Sequence, residues 1–232
     1  MIVIPARLNS TRLPNKVLAD INGKPMIQHV WENASQASET FVATDSKKIK
    51  KIVEGFGGKV ILTGRAENGT ARIYQATKGM PATELIANLQ ADEPMIKADL
   101  IKRCIMGFKE VEKPKFLDPS GSKASQGCDM LSAYENCSKK DAKVKSIVKV
   151  KIKDGYAAEF SRKPISNYKH LGIYLYTVGT LGKYIGLEND GLDLEQTRAL
   201  KAGWKIKMVK SNSHTIAVDI LEDLEGVRER LK

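Results

Sequence analysis

Short apolar runs alternate with amphipathic stretches through the first half of the chain, and that alternation predicts its elements. Ile2 to Ile4 is a continuous apolar run of strand length, the pattern of a strand covered on both faces. A loop containing Pro5, Pro14, Asn15 and Gly23 follows, because these residues punctuate regular structure. From Pro25 the apolar positions Met26, Ile27, Val30, Trp31 and Ala34 fall at helical spacing. Phe41 to Ala43 predicts a second strand. Ser46 reads as the N-cap of a helix burying Ile49, Ile52, Val53 and Phe56, which Gly57 and Gly58 end. Val60 to Leu62 predicts a third strand, Thr70 to Lys78 a helix, and Leu85 to Leu89 a fourth strand. Leu100, Ile101, Cys104, Ile105 and Phe108 mark another amphipathic helix.

Strands alternating with helices imply a mainly parallel central sheet flanked by helices. Such sheets bind ligands beyond the carboxyl ends of their strands. The loops of interest are therefore 5–16, 44–46 and 90–94. The second half reads differently. Residues 113–127 are rich in Pro, Gly and Ser and read as a mobile loop. Strands are predicted at 129–134, 147–153, 156–160 and 170–177, a helix from Leu192 to Ala202, a strand at 205–210 and a last helix from Leu221. This predicts a mixed sheet, or a smaller mixed or antiparallel sub-sheet packed on the first. The chain divides into an α/β half at 1–112 and a second half at 128–232 of one domain.

The chain has 232 residues and a net charge of +11, from 38 Lys and Arg against 27 Asp and Glu. This length buries a full core without staples, and the surplus attracts anions. Seven lysines crowd residues 139–153. Val148, Val150 and Ile152 alternate there with Lys149, Lys151 and Lys153, which reads as the solvated face of a strand. No aromatic residue interleaves them, against a nucleic-acid surface. Cys104, Cys128 and Cys137 are too few and too spread for a disulfide framework, and no apolar stretch reaches membrane-helix length. The opening Met1 to Pro5 has no secretory pattern. A reducing cytoplasmic setting is expected. His29, His170 and His214 form no zinc-binding pattern.

Three segments carry chemistry. Pro5 to Lys16 places Arg7, Arg12, Lys16 and two hydroxyls directly after the first strand. Guanidinium forks and an ammonium suit phosphate oxygens; a basic surface loop has the same composition. Gln90-Ala-Asp-Glu-Pro94 ends the fourth strand with adjacent carboxylates, which suit either Mg²⁺ or the start of the next helix. Asp219 and Glu222 have capping-box spacing before the last helix.

The segment Pro5-Ala-Arg-Leu-Asn-Ser-Thr-Arg-Leu-Pro-Asn-Lys16, with Leu18 to Met26, resembles the opening of the 3-deoxy-manno-octulosonate cytidylyltransferases (CMP-Kdo synthetases). Further stretches occur in that family's order. They are Val42-Ala-Thr-Asp45, Asn68-Gly-Thr-Ala-Arg72, Leu89 to Pro94, Phe160-Ser-Arg162 with His170 to Tyr174, Leu194-Glu-Gln-Thr-Arg198, and Val218-Asp219 with Glu222-Asp-Leu224. The resemblance implies a Rossmann-like α/β nucleotidyltransferase fold, a homodimer and a Mg²⁺-dependent reaction of CTP with a Kdo-like sugar acid for lipopolysaccharide synthesis. It implies that Arg7, Arg12 and Lys16 cradle the triphosphate. Thr44, Asp45, Asn68, Thr70 and Arg72 would line the nucleoside cleft, and Asp92 and Asp219 would hold Mg²⁺. Lys16, Asp92 and Asp219 would carry catalysis. Gln90, Arg162, His170, Tyr174, Glu195 and Gln196 would form the sugar-acid pocket.

The chain departs from the family pattern at Ala91, where glycine is usual, at Ala71, where a carboxylate is usual, and in the short loop 163–169. If position 91 needs positive φ, its methyl would strain the backbone. The departures leave two other readings. One is the same reaction on another acid such as 8-amino-Kdo. The other is a homologue that binds nucleotide or RNA without turnover.

Overall fold

The computed structural model describes residues 1–112, 127–187 and 194–232. Residues 113–126 of the loop expected at 113–127 and the first residues of the helix expected from Leu192 lie outside that range.

Strand β1 (Ile2–Pro5) is buried along its whole length. Ile2 and Ile4 face one core cluster and Val3 the other, as side chains on successive strand positions must. A two-residue hairpin, β2 (Asp20–Ile21) and β3 (Lys24–Pro25), follows. Asn22 and Gly23 turn it with φ of 52° and 88°. Two positive φ angles in succession match the right-handed strand twist, and Asn-Gly is the preferred pair there. The hairpin interrupts what reads as a plain loop.

Helix α1 (Met26–Ser35), β4 (Thr40–Thr44), α2 (Lys47–Gly55), β5 (Lys59–Leu62), α3 (Gly69–Thr77), β6 (Leu85–Leu89) and α4 (Ala98–Glu112) complete the first half. Ser46 caps α2 by accepting the Ile49 N–H, and Asn68 caps α3 by accepting that of Ala71. The second half contains β7 (Met130–Asn136), β8 (Lys149–Lys153), β9 (Tyr156–Ser161), β10 (Tyr168–Thr177), α5 (Val178–Ile185), α6 (Glu195–Lys201), β11 (Ile206–Lys210) and α7 (Leu221–Arg230). Thr177 caps α5 through the Thr180 N–H, and Val178, Leu181 and Tyr184 are its buried face. No helix is expected there from the apolar spacing alone, because the run continues β10 without a break.

Among the described residues nine strands form one sheet in the order β5-β4-β1-β6-β10-β7-β11-β9-β8, and the β2–β3 hairpin stands apart. Strands β5, β4, β1 and β6 are mutually parallel, and β10 runs antiparallel to β6 and β7. The antiparallel part is thus continuous with the main sheet, the mixed-sheet form of the expectation. It curls on itself, because β10 also meets β8 through Lys169 and Lys149. One face of the sheet is covered by α1, α2 and α4, the other by α3, α5 and α6.

The lysine stripe on β8 needs correction. Lys151 and Lys153 are exposed, but Lys149 is fully buried. Its Nζ donates to the carbonyls of Val144 at 2.7 Å, Ile147 at 3.0 Å and Arg162 at 3.1 Å. Three carbonyls supply what water would otherwise supply to a buried ammonium.

Candidate active site

The loops after β1 and β6 meet the segment before α7 around a cavity of about 280 Å³. Arg7, Arg12, Lys16, Asn68, Arg72, Gln90, Asp92 and Asp219 all line it. Asn15 takes a left-handed conformation with φ of 54°, which asparagine tolerates better than most residues, and so turns Lys16 into the site. Lys16 Nζ lies 2.7 Å from Asp92 Oδ2 and 3.7 Å from Asp219 Oδ1. It also donates to the Val218 carbonyl at 2.9 Å, while the Val218 N–H donates to the Asp92 carbonyl at 2.9 Å. Two backbone ties therefore hold Asp219 beside Asp92. Arg12 pairs with the other oxygen of Asp219. Each carboxylate is neutralised by a cation of the loop that follows β1.

The capping role expected for Asp219 belongs to Asp223 instead. The Asp223 carboxylate accepts the N–H groups of Asp219 at 2.9 Å and Ile220 at 3.1 Å. The helix begins one residue later than the Asp219–Glu222 spacing suggests, and this leaves the Asp219 side chain free for the cavity. The adjacent carboxylates of residues 92 and 93 also part company. Glu93 is 4% exposed and turns into the protein, where its Oε1 accepts the Gly172 N–H at 2.7 Å. Burial, reinforced by Asp92, pushes its carboxyl up to about 8. Ala91 is not among the residues with positive φ, so its methyl lines the cavity without the backbone strain that would otherwise call for glycine.

A second, open cleft of about 780 Å³ adjoins the first and shares Arg7, Asn9 and Arg72 with it. Asp45, Ser46, Arg65 and Glu67 line its far side. Arg65 and Glu67 stand out in no sequence pattern. Arg72 is 3% exposed. Its guanidinium meets Asp45 Oδ2 at 2.9 Å and Thr63 Oγ1 at 2.6 Å, fixing the wall between the cavities. Thr44 is buried below, and its hydroxyl accepts the Ser46 N–H at 3.1 Å. It shapes the turn carrying Asp45 and does not line either cavity.

The residues expected around a sugar acid divide. Thr70, expected at the nucleoside cleft, lines neither cavity and instead donates to Glu195 Oε2 at 2.5 Å, and Tyr174 donates to Gln196 Oε1 at 3.3 Å. These contacts tie α3 and β10 to the start of α6. Burial raises the Glu195 and Tyr174 pKa values. The His170 ring lies between those of Phe160 and Tyr174, with centroids 5.3 and 5.2 Å away. Desolvation lowers its pKa from 6.5 to about 3, so the imidazole is neutral. Ser132 Oγ donates its single proton to the Ile173 carbonyl at 2.7 Å, which assigns the proton of the 2.8 Å contact to His170 Nε2. Gln90, just past β6, packs on Gly172 of β10, where a β-carbon would lie 3.0 Å from the Gln90 side chain. Arg162 is engaged elsewhere. Its guanidinium donates to the carbonyls of Ser146 at 2.9 Å and Lys145 at 3.4 Å, and so anchors the loop before β8.

Residues 1–206 match the family model described as cytidylyltransferase. The chain is 39% identical to the 3-deoxy-manno-octulosonate cytidylyltransferase 2 of Hydrogenovibrio crunogenus, over 97% of this chain and 94% of that protein. It is also 39% identical to an 8-amino-3,8-dideoxy-manno-octulosonate cytidylyltransferase of a Shewanella species, over 100% and 98%. The solved structure of a CMP:2-keto-3-deoxy-manno-octonic acid synthetase complexed with CTP superposes with a TM-score of 0.84 at 35% identity, covering 99% of this chain and 97% of that one. The nucleotidyltransferase fold, the cation-lined cavity beyond the parallel strands and these full-length similarities agree, and the chain belongs to the cytidylyltransferase family.

Proposed function

We propose that the protein transfers CMP from CTP to the anomeric hydroxyl of a 3-deoxy-2-keto eight-carbon sugar acid of the Kdo type and releases pyrophosphate. The observation that carries this reading is the convergence of Arg7, Arg12, Lys16, Asp92 and Asp219 on one cavity. The names of the relatives supply the acceptor class. Arg7, Arg12 and Lys16 bind the triphosphate oxygens and stabilise the charge that builds on them as pyrophosphate leaves. The cleft lined by Asp45 and Arg72 takes the nucleoside. Gln90, His170, Tyr174, Glu195 and Gln196 bind and orient the sugar acid. Arg162 is committed to backbone carbonyls and does not serve the acid's carboxylate.

Asp92 and Asp219 fit a magnesium ion. They present hard carboxylate oxygens, and one ammonium, that of Lys16, already reaches both. A bound Mg²⁺ would neutralise phosphoryl charge and align the reactants. Lys16 and Arg12 would then exchange their carboxylate partners for phosphate oxygens. No covalent nucleophile is required. Activation of the sugar acid for lipopolysaccharide assembly and a homodimeric state belong to the same proposal.

A second acceptor has specific support, because 8-amino-Kdo enzymes match this chain at the same 39% identity as a Kdo enzyme. The deciding experiment is pyrophosphate release from CTP with Kdo or 8-amino-Kdo, with no-sugar and EDTA controls. Turnover requiring CTP, metal and one of the two acids is expected. Turnover with neither acid, while CTP still binds, would overturn the acceptor class. Loss of CTP binding as well would overturn the nucleotide reading.

A further inference from the structure

A buried ion pair grips the chain four residues before Asp219, and the chemistry above does not use it. Glu135 on β7 and Lys169 on β10 stand opposite each other in antiparallel register. Their side chains are 1% and 7% exposed, and Lys169 Nζ lies 2.8 Å from Glu135 Oε1. Both ends of the pair also hold Thr215. The Glu135 carboxylate accepts the Thr215 N–H at 3.0 and 3.1 Å and its hydroxyl at 3.3 Å. Lys169 donates to the Thr215 carbonyl at 2.7 Å. The anion thus takes the donor of this residue and the cation takes its acceptor.

Residues 211–219 contain no helix or strand, so their path depends on such ties. Ser211 donates from its N–H to the Tyr134 carbonyl at 2.6 Å. Thr215 is gripped by the ion pair, and Val218 is tied to Asp92 and Lys16. Burying two charges is costly, and an apolar pair often stabilises a fold equally well. What this pair adds is direction, since it accepts Thr215 in only one orientation.

We propose that Glu135 and Lys169 are positioning residues for Asp219. By clasping Thr215 they set the path of the 211–219 segment and hold the Asp219 carboxylate beside Asp92. This rests on the reading of Asp92 and Asp219 as divalent-cation ligands and extends it to the groups that place them. Partners that orient metal ligands typically contribute about 10–100-fold to metal affinity.

The test is Mn²⁺ binding to the full chain with CTP and no sugar acid, followed by electron paramagnetic resonance. The variants are Glu135→Gln/Lys169→Met, which removes both charges of the pair and with them the 3.7 Å contact of Lys169 with Asp141, and the milder Glu135→Gln, which keeps that contact. Asp219→Asn reports on the ligand itself. Val53→Ala, on the buried face of α2, controls for lost stability. The double variant should weaken Mn²⁺ binding about 10-fold, and Glu135→Gln should weaken it to a smaller extent. Val53→Ala should lower Tm without changing Mn²⁺ affinity. If the double variant does not fold, Glu135→Gln decides. Wild-type Mn²⁺ affinity in a folded clasp variant, alongside weakened binding in Asp219→Asn, would overturn the clasp and leave the ligand reading standing. Wild-type affinity in Asp219→Asn would overturn the ligand reading and the clasp with it.

Discussion

Asp219 and Asp223 both lie at the start of α7, and substitution should separate their roles. Asp223→Ala removes the acceptor for two N–H groups at the helix start. It should destabilise the fold by about 1 kcal/mol with most turnover retained. Asp219→Asn should cost turnover on the order of 100-fold with a smaller change in Tm. Thermal melts and pyrophosphate-release kinetics on the two variants check both expectations. His170 gives a test by pH. Its folded pKa is depressed to about 3 from 6.5, so the unfolded chain binds a proton in that interval and the native chain does not. The stability it contributes is full above pH 6.5 and is lost as pH falls toward 3. His170→Gln can still donate to Ser132 and does not titrate. The Tm advantage of wild type over this variant should therefore shrink between pH 7 and pH 4.5. A gap independent of pH would contradict the neutral, desolvated histidine.

Elements were legible in the sequence where one signal dominated. The short apolar runs of β1 and β4 read as buried strands, and Ser46 caps where its position requires. What escaped was decided by contacts between distant segments or by competing local signals. The Asn22–Gly23 turn was masked by the prolines around it. Helix α5 was masked by the apolar run of β10 that leads into it. Lys149 was misread because strand alternation places a side chain on a face without saying whether that face meets water. The cation-rich loop after β1 and Asp92 at the end of β6 were visible as chemistry. Their junction with Asp219 followed only from the family resemblance, since nothing in residues 211–219 announces a path. Strand β10 supplies a direct test of close packing at the site. A β-carbon on Gly172 would lie 2.9 Å from Glu93 Oε1 and 3.0 Å from Gln90. Gly172→Ala should therefore destabilise the fold by about 1–3 kcal/mol and raise KM for the sugar acid by displacing Gln90. Denaturant melts and steady-state kinetics would register the two effects separately.

At the scale of the molecule the net charge of +11 gives two anionic substrates an attractive field. Salt shortens the reach of that field, to about 10 Å at 0.1 M. Raising NaCl from 0.05 to 0.5 M, values on the order of those that span this screening range, should raise KM for CTP several-fold and change kcat little. A kcat that falls in parallel would place the salt effect on the chemical step instead. The order of strands has a different kind of consequence, for synthesis. Strand β6 is complete at Leu89, yet its partner on the open side is β10, which ends at Thr177. A growing chain holds the parallel half of the sheet with a row of unpaired amides and carbonyls along β6 until nearly ninety more residues have left the ribosome, on the order of ten seconds at ordinary elongation rates. Bare strand edges of this kind recruit other strands. The nascent protein is therefore most exposed to aggregation and most in need of a chaperone during that interval, before a single strand, β10, closes the edge.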